Sequence, residues 1–377
     1  MTNVGTAFCN LIKRLERLST RHSIKWTWSS GESKSLDNMQ RAIVCLILIL
    51  TPCGGMAAEF ALSGPANAPI ANSASGKAAP AKELFGASTA PAPLVSRAIG
   101  TYARGCLSGG VALPISGPNW QVMRLSRNRN WGHPRLVSLL ERLANDARRL
   151  DGWPGLLVGD IAQPRGGPMI TGHESHQIGL DADIWLTPMP NRFLTRKERE
   201  DLMATSMLKD PFTVDMHLWT PLHTKLIKRA ASYPEVERIF VHPAIKQVLC
   251  DQAGADRAWL SRVRPWWGHY YHFHVRIACP PGDPYCQSQS PVSGDDGCRI
   301  ELDDWFKKLR QAERQAPGTA SAKPPLTLDD LPMQCRTVLA YGQNNSSASL
   351  ARTQASKWTA DKPAGPPPPH YQVKQDR

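Results

Sequence analysis

The sequence predicts an α+β domain over about residues 96–338, because helical and strand-like hydrophobic patterns alternate along that stretch. A helix is predicted over residues 134–150, where leucines and alanines recur at helical spacing after a proline suited to the first turn. A buried strand is predicted over residues 156–162, with the sequence LLVGDIA. A stretch of this length can bury one sizeable hydrophobic core.

The alternation continues towards the C-terminus. Residues 221–231 form a second helical pattern, residues 238–241 a short strand, and residues 243–249 a further helix. Strands are also predicted over residues 184–186 and 272–277. Because no internal repeat interrupts this order, a single domain is expected.

Residues 1–58 are expected to lie outside the domain. An apolar run over residues 42–50 stands between a positive flank and small residues, which is the order of a secretory signal peptide cleaved near residues 57–58. Met39 lies just before that flank, so the true start is predicted near residue 39. The alternatives are lipidation at Cys53 and a retained anchor. Export predicts a periplasmic protein.

Two further segments are predicted to be unstructured. Residues 59–95 are rich in Ala, Pro and Ser and form the expected linker, and residues 339–377 form a Pro-rich tail. Neither segment can bury enough apolar surface to order itself.

The chain is strongly basic. Its 377 residues carry 45 Lys and Arg against 32 Asp and Glu, a net charge of +13, and +9 remains after removal of the predicted leader. This charge favours anionic partners, but export and the absence of a basic and aromatic strand motif argue against nucleic acid. A mean hydropathy of −0.35 excludes a polytopic membrane protein, and no stable membrane insertion is predicted.

Six cysteines remain beyond the leader: Cys106, Cys250, Cys279, Cys286, Cys298 and Cys335. An even number in an exported chain predicts disulfides, although six cysteines allow many pairings. Scattered buried thiols are the alternative. No paired CxxC occurs, which disfavours a cysteine-only zinc ribbon.

Histidines concentrate in two windows, the first over residues 172–185. Here His176 and Asp183 are seven positions apart with Gly179 between them, so a bend can bring the carboxylate back towards the imidazole. Imidazole nitrogen and carboxylate oxygen are both ligands of catalytic zinc.

The second window spans residues 266–277. Strand periodicity places His272, His274 and Arg276 on one face while the alternate apolar residues point into the core. One imidazole can bind a metal while its neighbour moves protons. Each window alone is a weak signal, but two histidines and an aspartate together supply three zinc ligands and leave a fourth position for water. The sequence therefore predicts a catalytic zinc site.

These windows resemble a known family. Residues 175–183 (SHQIGLDAD) with the later His272-Phe273-His274 are similar to the paired signature of the LAS metallopeptidases. Residues 105–335 resemble the murein endopeptidase members of that group, with further matching stretches at residues 119–124, 131–134, 238–246 and 263–266. The resemblance implies one disulfide-braced domain with a small central antiparallel sheet flanked by helices and loops.

The resemblance also implies which residues form the site. Zinc would be held by His176, Asp183 and His274. His272 would be the general base with His269 in support, and His173 would belong to the metal site.

A second metal is less well supported by the sequence. The resemblance makes Asp210 a ligand of an additional metal, but Thr213 stands where the family has a histidine three residues after that aspartate. The resemblance also implies the disulfides Cys106–Cys335, Cys250–Cys298 and Cys279–Cys286.

The implied activity is hydrolysis of the D-alanyl-meso-diaminopimelate cross-link of peptidoglycan by a zinc-activated water, with His269 or Arg276 stabilising the oxyanion. No acyl-enzyme forms, so insensitivity to penicillin is expected. The aromatic residues Trp266, Trp267, Tyr270 and Tyr271 are candidates for the substrate groove.

Two other functions remain open from the sequence. A zinc D,D-carboxypeptidase acting on stem peptides would share the site, and a non-catalytic wall-binding module would keep the fold. Members of the family can form homodimers, so a homodimer is compatible with the resemblance.

Overall fold

The computed structural model describes residues 79–292, 294–314 and 324–341. The predicted leader, the linker up to residue 78 and the tail beyond residue 341 lie outside the described residues. Signal cleavage, the start near Met39 and lipidation of Cys53 therefore stay predictions. Among the described residues, no helix has the length and apolar character needed to cross a bilayer.

Helices and strands alternate through the domain. The helices are α1 (Ala81–Gly86), α2 (Pro134–Asp146), α3 (Arg196–Asp201), α4 (Pro221–Ser232), α5 (Pro243–Gln252), α6 (Ile300–Arg314) and α7 (Gln334–Ala340). The strands are β1 (Arg97–Thr101), β2 (Arg104–Ser108), β3 (Val111–Ala112), β4 (Ser116–Gly117), β5 (Trp120–Val122), β6 (Trp131–Gly132), β7 (Leu156–Val158), β8 (Asp181–Trp185), β9 (Leu208–Asp210), β10 (Thr213–Val214), β11 (Val236–Val241), β12 (Val263–Pro265) and β13 (His272–Ile277).

A seven-stranded sheet forms the centre of the domain, in the order β12-β11-β13-β8-β7-β5-β4. This confirms the predicted α+β domain with a central sheet. The strands from β11 through β13 and β8 to β7 pair antiparallel, whereas β12 pairs parallel to β11 and β5 parallel to β7. The sheet is thus mixed rather than wholly antiparallel, because helical crossovers connect β5 to β7 and β11 to β12.

Two helices begin at a His-Pro pair. The Nδ1 atoms of His133 and His242 each accept a hydrogen bond, 3.2 Å long, from the backbone N–H two residues further on, which caps α2 and α5. Proline follows each histidine at the first helical position, where its missing N–H costs nothing. The predicted helix over residues 134–150 continues beyond α2 as a π turn, Ala147–Asp151.

The main core lies between the sheet and helices α2, α4 and α5. The leucines of α2 that the helical spacing singled out are buried there, as are the inward residues Phe273, Val275 and Ile277 of β13. The predicted strand over residues 156–162 is shorter than expected, because only Leu156–Val158 pairs in the sheet. The chain then leaves the sheet as a buried loop that reaches the site described below.

A second core cluster corrects the predicted linker boundary. Phe85 of α1 is completely buried in a cluster that also contains Ile99, Cys106, Cys335 and Leu339. Residues from Ala81 onward therefore belong to the folded domain, not to a linker ending at residue 95. The stretch around α1 is rich in Ala and Pro. Its few apolar residues, Ala81, Leu84 and Phe85, form no pattern from which this packing could be predicted.

All three implied disulfides are present. They join Cys106 to Cys335, Cys250 to Cys298 and Cys279 to Cys286. The first links β2 to α7 and so ties the beginning of the domain to its end.

Candidate functional site

The antiparallel pair β8 and β13 carries the centre of the site. Its register sets His272 opposite Trp185, His274 opposite Asp183 and Arg276 opposite Asp181. Since alternate residues of a strand share a face, these six side chains lie on one side of the sheet. The Asp-x-Asp and His-x-His-x-Arg patterns therefore meet through strand pairing.

His176 reaches this face from the loop before β8. Its backbone lies in the left-handed region, with φ of 67°, and its N–H donates to Asp181 Oδ2 at 3.0 Å. The ring Nδ1 lies 2.5 Å from the carbonyl oxygen of Ile161. With Nδ1 occupied in this way, Nε2 is the ring nitrogen that faces Asp183.

Three imidazole nitrogens converge on one carboxylate oxygen. The distances from Asp183 Oδ1 are 3.3 Å to His274 Nδ1, 3.4 Å to His176 Nε2 and 3.5 Å to His272 Nε2. Burial alone would raise the pKa of Asp183, but the neighbouring histidines hold it well below its usual range. Asp183 is therefore an anion at the focus of the site.

The donor set fits a metal ion. Among the described residues, ligand atoms of His173, His176 and Asp183 lie within 4.8 Å of one another. His176 Nε2 and Asp183 Oδ1 are buried without a hydrogen-bond partner. Buried polar atoms are rarely left unpaired, and these are atom types that bind zinc, so the residues present fit such an ion.

His274 contacts two carboxylates, one with each ring nitrogen. Its Nδ1 faces Asp183, while its Nε2 lies 2.8 Å from Asp181 Oδ1. The structure thus brings all three expected zinc ligands together. In metalloproteins a carboxylate on the far ring nitrogen fixes the orientation of a metal-binding histidine, and Asp181 occupies that position beside His274.

His173 lies between two carboxylates. Its Nε2 is 3.2 Å from Asp183 Oδ2 and 3.4 Å from Asp160 Oδ2. Burial would lower the pKa of His173, but Asp183 and Asp160 raise it to about 9. The structure therefore places His173 in the site as expected, and its role as a metal ligand stays a prediction.

His272 and His269 are neutral in this environment. Burial lowers the pKa of His272 to about 4 against the opposing effect of Asp183, and both of its ring nitrogens lack a hydrogen-bond partner. Burial likewise lowers the pKa of His269 to about 3, and its Nδ1 lies 2.7 Å from the Trp267 carbonyl oxygen. The two ring centres are 4.9 Å apart. An unprotonated imidazole is the form that can accept a proton.

Asp210 is not part of the group formed by His173, His176 and Asp183 in the described structure. It is exposed in the hairpin of β9 and β10, where its carboxylate accepts hydrogen bonds from the Phe212 N–H at 2.8 Å and from the Thr213 hydroxyl. The threonine that replaces the expected histidine thus has a local partner. A second metal at Asp210 has no support from this geometry.

Arg276 has a different place from the one expected. Its Nε donates to Asp181 Oδ1 at 2.6 Å, and its guanidinium packs 4.0 Å from the centre of the Tyr102 ring. It is buried, and it does not line the cavity at the site. The expectation that Arg276 stabilises an oxyanion is therefore not supported, because Asp181 already engages its charge.

Two carboxylates of the candidate site were not identified from the sequence. Asp181 receives hydrogen bonds from His274, Arg276 and the backbone of His176. Its position two residues before Asp183 on a strand was the available signal, since both must share a face. Asp160 follows the buried strand β7, and no local pattern marked it.

A cavity of about 470 Å³ opens over the site. His173, Asp183 and His272 line it together with Arg124, Arg127 and Tyr271. Tyr270 also lines the cavity, in agreement with the expected groove, whereas Trp266 and Trp267 pack instead against Trp305 of α6 with ring centres 5.5 and 5.3 Å away.

Comparison with known proteins identifies the family of the chain. The family profile described as penicillin-insensitive murein endopeptidase matches residues 98–340. Proteins of that name are similar to the chain: one from Haemophilus influenzae is 46% identical over 243 residues, 64% of this chain and 82% of that protein. One from Klebsiella pneumoniae is 42% identical over 248 residues, 65% and 86% of the two chains, and one from Escherichia coli K12 is 40% identical over 274 residues, 72% and 94%. The chain belongs to the penicillin-insensitive murein endopeptidase family.

Proposed function

We propose that this protein is a zinc-dependent endopeptidase that hydrolyses the D-alanyl-meso-diaminopimelate cross-link of peptidoglycan in the periplasm. The observation that carries the proposal is the convergence of His176, His272 and His274 on Asp183 Oδ1. Family membership supports the substrate class, because relatives are named murein endopeptidases. Three disulfides support an oxidising compartment.

His176, Asp183 and His274 would hold the zinc ion. When bound, the ion supplies a water whose pKa is lowered to about 7 and polarises the scissile carbonyl. His272 is placed to accept the proton of that water and to return it to the leaving amine, because its imidazole is neutral and faces the same carboxylate oxygen. His269, whose ring centre lies 4.9 Å from that of His272, would act in support of this base.

The protein's own residues also explain the expected response to β-lactams. Among the described residues lining the cavity there is no serine or cysteine. β-Lactams trap a nucleophilic side chain as an acyl-enzyme, and this cavity offers none. Hydrolysis by water would therefore continue in their presence.

A combined metal and digestion experiment tests the proposal. Zinc content of the purified protein is measured, and cross-linked muropeptide dimers are digested with and without chelator. We expect near-stoichiometric zinc and conversion of dimers to monomers, both lost in His274→Ala. His217→Ala is the matched control, since His217 is an exposed histidine outside the site.

Other outcomes would replace the proposal. Release of terminal D-alanine alone, with dimers intact, would identify a D,D-carboxypeptidase. Intact dimers with no zinc bound would leave only a wall-binding module.

A further inference from the structure

Two guanidinium groups line the cavity beside the candidate zinc ligands. Arg124 lies just before the short 3-10 turn Leu125–Arg127, and Arg127 lies at its end. In the proposed reaction, zinc would supply the positive charge that polarises the scissile carbonyl. The hydrolysis described above therefore uses neither arginine. Their charges therefore need a separate account.

Arg127 is already paired. Its Nη1 lies 3.0 Å from Asp160 Oδ2, and the same oxygen receives Arg129 Nη1 at 2.8 Å. Asp160 has 3% of its side chain exposed. Burial would raise its pKa, but its hydrogen bond with His173 and the charges of Arg129 and Arg127 lower it to about 2. The charge of Arg127 is thus compensated by Asp160, the carboxylate that also contacts His173.

Arg124 has only neutral partners among the described residues. Its Nη1 donates to the Arg199 carbonyl oxygen at 3.4 Å and its Nη2 to the Met203 Sδ at 3.7 Å, both long contacts. Its guanidinium also lies 5.4 Å from the centre of the Trp185 ring. A guanidinium has five N–H donors, so these contacts leave most of its capacity for a ligand.

The backbone holds Arg124 in place for this use. Arg124 has φ of 56° and ψ of 50°, a left-handed backbone conformation that is unfavourable for most residues other than glycine. Its N–H donates to the Arg199 carbonyl oxygen at 3.0 Å, which secures that conformation. Strained residues that the surroundings hold in this way concentrate at functional sites.

Arg124 also lies close to the reacting groups along the sheet. Trp185, over which it packs, is paired with His272 in the strand register and follows Asp183 by two residues on the same face. A ligand atom bound by Arg124 would therefore sit on the Trp185 side of the cavity, next to the proposed base.

We propose that Arg124 binds the carboxylate that the substrate carries on the carbon attached to the leaving nitrogen. This inference rests on the proposed function. In a D-alanyl-meso-diaminopimelate cross-link, the amide nitrogen is bonded to a carbon that bears its own free carboxylate. Arginine binds carboxylates through paired, charge-assisted hydrogen bonds, which fixes orientation as well as affinity. Arg124 is thus a specificity-determining residue on the leaving-group side.

The first test needs no variant. Wild-type enzyme is given two cross-linked dimers that differ only at this group, one with the free carboxylate and one with the carboxamide. We expect kcat/KM to be about 10- to 100-fold lower for the carboxamide, mainly through KM, since a charged hydrogen-bonded pair is lost. Equal rates for both dimers would overturn the proposal.

The second test separates recognition from structural support. Arg124→Gln should lose about 10- to 100-fold on the carboxylate dimer and almost nothing on the carboxamide dimer. Arg124→Lys should keep part of the preference. Arg149→Gln is the control, because Arg149 is an exposed arginine outside the cavity. Equal losses on both dimers in Arg124→Gln would show a structural role and overturn the proposal.

A binding measurement keeps the two proposals distinct. Calorimetry with the monomeric diaminopimelate peptide, in its carboxylate and carboxamide forms, reports recognition without catalysis. Preferential binding of the carboxylate form by wild type, lost in Arg124→Gln, would support the inference even if no dimer were cleaved. Absence of any preference would overturn it, while cleavage of dimers would leave the proposed function standing.

Discussion

The Nε2 atom of His274 lies 2.8 Å from the Oδ1 atom of Asp181, and this contact determines which nitrogen of His274 faces Asp183. The same Asp181 carboxylate accepts from Arg276 Nε at 2.6 Å and from the His176 backbone N–H at 3.0 Å. One buried carboxylate therefore orients two of the three candidate zinc ligands. The Arg276 guanidinium and His274 hold the pKa of Asp181 far below its usual range, although burial would raise it.

Replacing Asp181 should weaken zinc binding without removing a ligand. In Asp181→Asn the amide is a poorer acceptor for His274 and leaves the Arg276 charge uncompensated. We expect about 10- to 100-fold weaker zinc affinity, measured by chelator competition. A loss of about 3 kcal/mol in the free energy of unfolding is also expected, because a buried ion pair is broken. Asp251→Asn, an exposed aspartate on α5, is the control. An unchanged zinc affinity would contradict the orienting role.

Replacing His272 should separate catalysis from metal binding. His272→Gln is expected to lower kcat by about 100- to 10,000-fold, since a positioned base is lost. Zinc content should stay near that of wild type, whereas His274→Ala should lose zinc. Paired measurements of zinc content and dimer hydrolysis on the two variants check this. If His272→Gln also loses its zinc, His272 is a ligand and the assignment of roles must change.

Only one of the two strands that carry the site was predicted at its observed residues. The strand predicted over residues 184–186 is β8, Asp181–Trp185, so Asp183 lies within a strand and not on a bend before it. Alternation in HFHVRI predicts the shared face of His272 and His274, and the structure has that strand at the expected residues. Residues Asp183 and His176 were found because their types and spacing suit zinc. The register that sets His274 opposite Asp183 depends on how β13 and β8 pair in the folded protein. The sequence therefore predicted the candidate ligands but not which residues lie opposite each other.

Contacts between distant loops could not be predicted in the same way. Asp160 pairs with Arg127 and Arg129, more than 30 positions away, and no periodic pattern records such a contact. Arg276 was assigned to the site because it shares a strand face with His272 and His274. That pattern could not reveal the ion pair between Arg276 and Asp181. Phe85 similarly shares a core cluster with Cys335, from the opposite end of the domain.

The three disulfides should contribute unequally to stability. The Cys106–Cys335 pair spans 229 residues, whereas Cys279–Cys286 spans 7. If a disulfide acts mainly by restricting the unfolded chain, the long loop is worth about 5 kcal/mol and the short loop about 2 kcal/mol. Urea unfolding of Cys106→Ala/Cys335→Ala and Cys279→Ala/Cys286→Ala checks the difference. Equal losses in the two double variants would show that loop length does not decide the effect.

Acid should destabilise the fold through its histidine helix cap. Burial lowers the pKa of His242 to about 4, below the value of about 6.5 expected in the unfolded chain. The folded state therefore binds fewer protons, so this contribution to stability is complete above pH 6.5 and is lost as the pH falls towards 4. The loss for this one group is up to about 3 kcal/mol.

A variant isolates the contribution of His242. His242→Asn keeps an oxygen that can accept the Ala244 N–H but does not titrate. Its free energy of unfolding, measured by urea titration from pH 7 to pH 4, should depend less on pH than that of wild type. His133, whose pKa burial also lowers, would account for part of the remaining slope. His217→Asn should keep the full slope, because His217 is exposed. An unaltered slope in His242→Asn would show that other groups cause the acid sensitivity.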